Sequence, residues 1–232
     1  MLNLSKRATE PEIMDDFSLP EGEVVPVLKG LEKLNALFGG HKTLVKALKY
    51  IPVKSGYHIS DWGCGGGDAL RAIAQWANKA NIKLQLTGVD ATASAVEFAR
   101  VEAKAYPNIS FILSDVMSDE LKPGQFDVVY SSLFSHHFAD DEWVALVKKM
   151  VSCSKKAVII TDLHRHWLLY YAVVFIAYTF TKSKMARFDG PLSVRRSFKK
   201  HDLVNLLHQS GLTNYKITWK WAFRWQVLIY KS

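Results

Sequence analysis

Ile59-Ser60-Asp61-Trp62-Gly63-Cys64-Gly65-Gly66-Gly67 is the stretch that decides the fold. It reads as a strand running into a glycine-rich turn, and a helix over residues 68–79 follows at once. Glycines at alternate positions, Gly63, Gly65 and Gly67, remove Cβ atoms where the chain must bend sharply and a ligand must touch backbone. The turn hands that ligand to the positive end of the next helix. A dinucleotide fingerprint, G-x-G-x-x-G/A, is excluded, because the sixth position is Asp68 counted from Gly63 and Leu70 counted from Gly65. Asp68 at the helix start would also face a pyrophosphate with like charge. A cofactor with a ribose and a sulfonium, and no phosphate, fits this turn better.

Working outward, the chain alternates. Strands are expected over 58–61, 85–89, 109–113, 127–131, 157–161, 214–219 and 223–230, with helices over 68–79, 93–106, 140–151 and 199–210. Such alternation predicts an α/β, doubly wound, mostly parallel sheet with helices on both faces. The last two strands are separated by only a few residues around Trp221, which suits an antiparallel hairpin. Ahead of this region, Val27, Leu31, Leu34, Leu37 and Phe38 recur at helical spacing. Gly39-Gly40 interrupts the pattern, and a second short helix runs to Pro52.

A second acid falls where a nucleoside binder needs one. The strand Leu86-Thr87-Gly88-Val89 ends in Asp90, 23 residues after Gly67. A carboxylate there can accept both ribose hydroxyl protons. The plainer reading, in which Asp90 or Thr92 caps the helix from Ala93, is compatible with it.

The pattern hydrophobic-x-Asp-x-Gly-x-Gly-x-Gly resembles motif I of the class I S-adenosylmethionine (SAM) methyltransferases. The resemblance covers about residues 55–165 and implies the seven-stranded Rossmann-like methyltransferase fold with its closing hairpin. It implies SAM as cofactor, held by Asp61, Gly63, Cys64, Gly65, Gly67, Asp90, Ala91, Ser114, Asp115, Val116 and Ser131. Asp115, after the third strand, resembles the acid that accepts a hydrogen bond from the adenine amino group, with the next backbone N–H facing the ring. Ser-Asp at a strand end is also ordinary turn chemistry.

The fourth strand runs into Ser131-Ser132-Leu133-Phe134-Ser135-His136-His137-Phe138. The Asp/Asn-Pro-Pro-aromatic signature of nitrogen methylation and the Pro-Cys of pyrimidine-carbon methylation are both absent. The His pair resembles the ubiquinone/menaquinone-type and related small-molecule methyltransferases. An imidazole there can take the proton of a phenol or enol as the methyl arrives. One His facing substrate and the other packing beneath the loop is the expected division. Asp162, at the end of the fifth strand, would orient an imidazole, act as base, or simply cap the next helix. The catalytic candidates are thus His136, His137 and Asp162, and His164, Arg165 and His166 are expected on the rim.

Composition narrows the partners. An apolar share of 49% over 232 residues supports a full core. Two cysteines make no disulfide framework, no Cys/His cluster has zinc spacing, and the start lacks the apolar core of a signal peptide, so a cytoplasmic protein without metal is expected. The run WLLYYAVVFIAYTF over 167–180 carries no charge, yet falls short of the ~20 residues that span a bilayer. A buried helix or substrate wall is favoured over an interfacial anchor, which would bring peripheral membrane contact. The division expected is a helical extension over 1–50, part of a cover, and a SAM-binding domain over 51–232 with residues 163–198 inserted as substrate cover. The function implied is methylation, at oxygen, of a hydrophobic phenolic, quinol or polyketide-like acceptor. Alternatives are a SAM-binding regulatory partner without transfer activity and, from the net charge of +8, an RNA methyltransferase. Against the latter, the aromatics lie in apolar runs and do not alternate with basic residues.

Overall fold

The computed structural model describes residues 2–231. Seven strands form one sheet: β1 (His58–Trp62), β2 (Gln85–Asp90), β3 (Ile109–Leu113), β4 (Phe126–Ser132), β5 (Ser154–Leu163), β6 (Tyr215–Lys220) and β7 (Arg224–Tyr230). Their order is β3-β2-β1-β4-β5-β7-β6, with β7 antiparallel to both neighbours and the other pairs parallel. The expected α/β, doubly wound, Rossmann-like methyltransferase sheet with its closing hairpin is therefore present.

Eight helices surround it: α1 (Glu21–Leu37), α2 (Gly40–Leu48), α3 (Asp68–Lys79), α4 (Ala93–Glu102), α5 (Asp140–Cys153), α6 (Trp167–Phe180), α7 (Lys184–Arg196) and α8 (Lys200–Gln209). On one face Leu44 and Leu48 of α2 join Leu70 and Ile73 of α3 against Ile59 and Leu86. On the other, Trp143 and Val147 of α5 and Leu203 and Leu207 of α8 pack against Val129, Val158 and Val227. A smaller cluster joins α1 to α4 through Val24, Leu28, Ala95 and Phe98. Burial on both faces explains the uninterrupted apolar stretches 128–130 of β4 and 157–160 of β5.

The sheet reverses direction of winding between β1 and β4, so the loops after those strands diverge and leave a crevice at their carboxyl ends. That crevice holds the candidate site.

Two expectations on the segment after β5 are corrected. Residues 167–180 form a helix, but Ala177 is its only fully buried side chain, and no residue of 163–198 lines the cavity at the strand ends. The apolar run is neither core nor pocket wall. Arg165 is not on the rim either. It is 1% exposed, with its guanidinium donating to the carbonyls of Leu4, Ser5 and Ser197 and lying 3.0 Å from Asp202. No described helix is long and apolar enough to cross a membrane.

Candidate active site

A cavity of about 610 Å³ opens at the crevice, a size typical of small-molecule sites. Its floor is the glycine turn, of which Gly63, Cys64, Gly65 and Gly66 line the cavity and Gly67 does not. Gly63, Gly65 and Gly67 all have positive φ, at 69°, 48° and 70°, so each of the alternate glycines sits in the left-handed region that side chains disfavour. At Gly63 a Cβ would also stand 2.2 Å from the Phe134 ring.

Asp90 closes one side of the floor. One carboxylate oxygen accepts from the Gly65 N–H at 2.8 Å and the other from the Thr92 N–H at 2.9 Å. Asp90 thus ties the turn to the start of α4 and still borders the cavity, with further lone pairs for a ligand. Burial raises its pKa, partly offset by those two N–H groups.

Asp61 lies below, fully buried, with one carboxylate oxygen lacking any partner. Burial first, and then the charges of Asp68 and Asp90, push its pKa well above the carboxylate range. For Asp68 the burial penalty is outweighed by the hydrogen bond and charge of His41, 2.7 Å away, and by Asn35, so its pKa falls below normal. Three acidic side chains surround one glycine turn, and one of them, Asp61, has an orphaned oxygen; a cation bound there would draw the proton off Asp61. A sulfonium and an ammonium suit this turn; a pyrophosphate does not.

Of the remaining cofactor candidates, Cys64, Ala91, Asp115 and Val116 line the cavity. Asp115 accepts from the Met117 N–H at 2.8 Å. Ser114 does not line it; its backbone N–H donates to the Asp90 carbonyl, and its hydroxyl meets Ser118 at 2.8 Å. Ser131 is buried in the sheet, and its hydroxyl has no partner.

The opposite wall carries the His pair on a 3-10 turn after β4 (Ser135–His137), and the two residues are placed differently. His137 lines the cavity. Its Nδ1 is 2.6 Å from Asp15 and its Nε2 is 4.0 Å from Glu12. His136 lies behind it, with side chain 3% exposed and the two rings 4.4 Å apart. The Nδ1 of His136 is 2.7 Å from Asp162, while its Nε2 faces Glu12 at 3.6 Å without a hydrogen bond. Asp162 also accepts from the Ser135 hydroxyl and from the His136 and Leu163 N–H groups. Its burial penalty is outweighed by the His136 charge and these bonds, which hold its pKa below normal.

Sequence reasoning missed the acidic partners from the N-terminal segment. Glu12 is buried, and burial lifts its pKa to about 7 against the opposing pull of His137, Ser193 and Arg196. Arg196 holds the segment to the His turn, pairing with Asp15 at 2.6 Å and donating to the carbonyls of His136 and His137. Asp189 of α7 accepts from the Ile13 and Met14 N–H groups. Met14, Phe17, Val24, Leu28 and Leu31 of this segment and α1 then form much of the apolar cavity wall. The run Pro11-Glu12-Ile13-Met14-Asp15 was visible, but its partners lie more than 120 residues away.

Among the described residues, Glu12, His136 and His137 have ligand atoms within 4.8 Å of one another, a spacing that suits a metal ion. Arg196, 3.9 Å from the Glu12 carboxylate, already supplies positive charge there. We read the trio as a proton-sharing set.

Comparison with known proteins bears on the domain and the fold. Residues 59–157 match the family model described as a methyltransferase domain. No curated protein sequence matches the chain significantly. Among solved structures, a SAM-dependent methyltransferase from Aquifex aeolicus is 14% identical with a TM-score of 0.66, over 92% of this chain and 99% of that one. The plantazolicin methyltransferase in complex with SAH is 18% identical with a TM-score of 0.69, over 93% and 92%. Human N-acetylserotonin methyltransferase in complex with SAM is 15% identical with a TM-score of 0.68, over 97% of this chain and 63% of that one. The fold is that of the class I SAM-dependent methyltransferases, and the match to a methyltransferase domain falls on residues 59–157. The matched domain and the fold support methyl transfer from SAM as the activity.

Proposed function

We propose that the protein transfers the methyl group of SAM to an oxygen of a hydrophobic small molecule of phenolic, quinol or polyketide-like character. One observation carries this reading: the carboxylate-lined glycine turn and a wall of apolar side chains share one cavity, with His137 at their junction. Solved relatives named for N-acetylserotonin, magnesium protoporphyrin IX and plantazolicin support a small acceptor. The His-His turn, similar to that of ubiquinone/menaquinone-type enzymes, supports a phenolic or enolic oxygen.

SAM, when bound, supplies an electrophilic methyl group. The glycine turn and Asp90 fix the ribose end, and the apolar wall (Phe17, Leu31, Phe134 and Phe138) excludes water and orients the acceptor ring. A carboxylate at Nδ1 keeps the hydrogen on that nitrogen, so Asp15 makes Nε2 the basic atom of His137. With SAM bound, that Nε2 would take the acceptor's proton as the oxygen bonds to the methyl carbon and the carbon–sulfur bond of the sulfonium breaks, leaving the neutral thioether SAH. Glu12, beside it, is a carboxyl poised to share the proton. His136, fixed by Asp162, supports the His137 ring and acts as a positioning residue.

The test is incubation with methyl-labelled SAM and extracts fractionated into lipid, small polar and RNA pools. Label in the lipid pool is expected. Label confined to RNA would replace this reading with an RNA methyltransferase, and no label with SAM binding intact would favour a regulatory partner.

A further inference from the structure

α6 is apolar on every side, yet it lies on the outside of the protein. Trp167 is 58% exposed, Phe175 66% and Phe180 77%, and Leu168, Tyr171 and Tyr178 are also exposed. A water-facing helix of this composition has no energetic justification as a surface, since large contiguous apolar patches on soluble proteins mark interaction sites. Its other side rests on α7, where Gly190 lets Val173 approach closely. The patch continues past the helix start: the His166 ring stacks on Trp167 and lies 5.1 Å from Phe223, which is 6.0 Å from Trp219 in the closing hairpin. Trp221, at the hairpin tip, is 66% exposed.

The charges around this patch have one sign. Residues 166–188 contain Lys182, Lys184 and Arg187 and no acid, and residues 214–223 add Lys216 and Lys220, again with no acid. Lys182 and Lys184 are exposed at the carboxyl end of α6, and Arg187 lies over the Tyr178 ring at 5.0 Å. Tryptophan and tyrosine at the edge of an apolar face, with lysines beside them, is the chemistry of the bilayer interface. At 14 residues α6 is about 21 Å long, too short to span, so against a bilayer it would lie in the interface.

We propose that α6 and the β6–β7 hairpin tip dock the protein on an anionic lipid bilayer. The aromatic face enters the headgroup–acyl boundary, and Lys182 and Lys184 meet lipid phosphates. Docking stands independently of the acceptor's identity; if the acceptor is lipid-soluble as proposed above, the enzyme meets it where it is dissolved.

Vesicle flotation tests this with the whole chain, using phosphatidylcholine vesicles with and without phosphatidylglycerol. The protein should float with the anionic vesicles, and added salt should weaken the binding. Lys182→Glu/Lys184→Glu should lower the anionic partition coefficient about fivefold per charge removed. The triple variant Trp167→Ser/Phe175→Ser/Phe180→Ser should stay at the bottom of the gradient, with circular dichroism unchanged because these side chains face solvent. Failure of the native protein to float with anionic vesicles overturns the proposal. So does equal flotation of the charge variant and the native protein. A dimer in light scattering that the triple variant abolishes, without flotation, would make a second copy the occupant and also overturn it.

Discussion

Asp162 holds His136 with an Nδ1–Oδ1 distance of 2.7 Å, and neither side chain reaches the cavity. The carboxylate is saturated by Ser135 and two backbone N–H groups as well, so its charge is fully committed inside the protein. This separates the two histidines by role. His136 is the inner, immobilised ring, and His137 is the ring in the cavity.

His137→Ala should therefore reduce turnover by about 10²–10⁴-fold, the usual contribution of a general base, with SAM affinity nearly unchanged. Asp162→Asn should act through His136 and the 3-10 turn, lowering thermal stability as well as turnover, since it leaves buried partners unmet. Steady-state kinetics and melting curves on both variants separate the effects. Normal turnover in His137→Ala would mean that proximity alone drives transfer to an acceptor already ionised.

Asp90→Ala should weaken SAM binding by about 1–3 kcal/mol through unmet ribose hydroxyls. The same change frees the N–H groups of Gly65 and Thr92, so the glycine turn should loosen too. Isothermal calorimetry with SAM and SAH reads the affinity. An unchanged dissociation constant would remove Asp90 from the ribose site.

The glycine turn and Asp90 were legible in the sequence because their requirements are local: alternate glycines, a strand before them, an acid at the end of the next strand. The face of α6 was not legible. Fourteen uncharged residues in a row, all but Thr179 apolar, carry no period, so nothing in the run says which side is buried or whether any side is. Arg165 failed for the opposite reason. A charge between two histidines at a strand end reads as exposed, while its partners Leu4, Ser5, Ser197 and Asp202 are distant in sequence. Glu12 shares that obscurity, since only tertiary structure brings it between two imidazoles.

Gly63→Ala tests the turn directly. An alanine there must hold a left-handed φ of 69° and place its Cβ inside the Phe134 ring volume. Strain of about 1–3 kcal/mol, or a displaced Phe134, is expected, with loss of SAM affinity either way. The double variant Gly63→Ala/Phe134→Ala removes the clash but keeps the backbone strain, so it should recover part of the affinity. If the single variant binds SAM normally, the turn is not held as described.

The last prediction concerns pH. Burial raises the pKa of Glu12 in the folded state to about 7, against an unfolded value near ~4.3. Between those two values the folded chain holds a proton that the unfolded chain has released. Stability from this group is therefore complete below about pH 4.3 and declines as pH rises toward 7, with no further loss above it. Glu12→Gln removes the titration while keeping a side chain that can still meet Ser193, which donates to Glu12 at 2.8 Å. Denaturant unfolding of native protein and variant between pH 5 and 7.5 should show the native protein losing stability relative to the variant as pH rises. Parallel stability curves over that range would mean that Arg196, His136 and His137 already compensate the Glu12 charge, and that the carboxyl is ionised throughout.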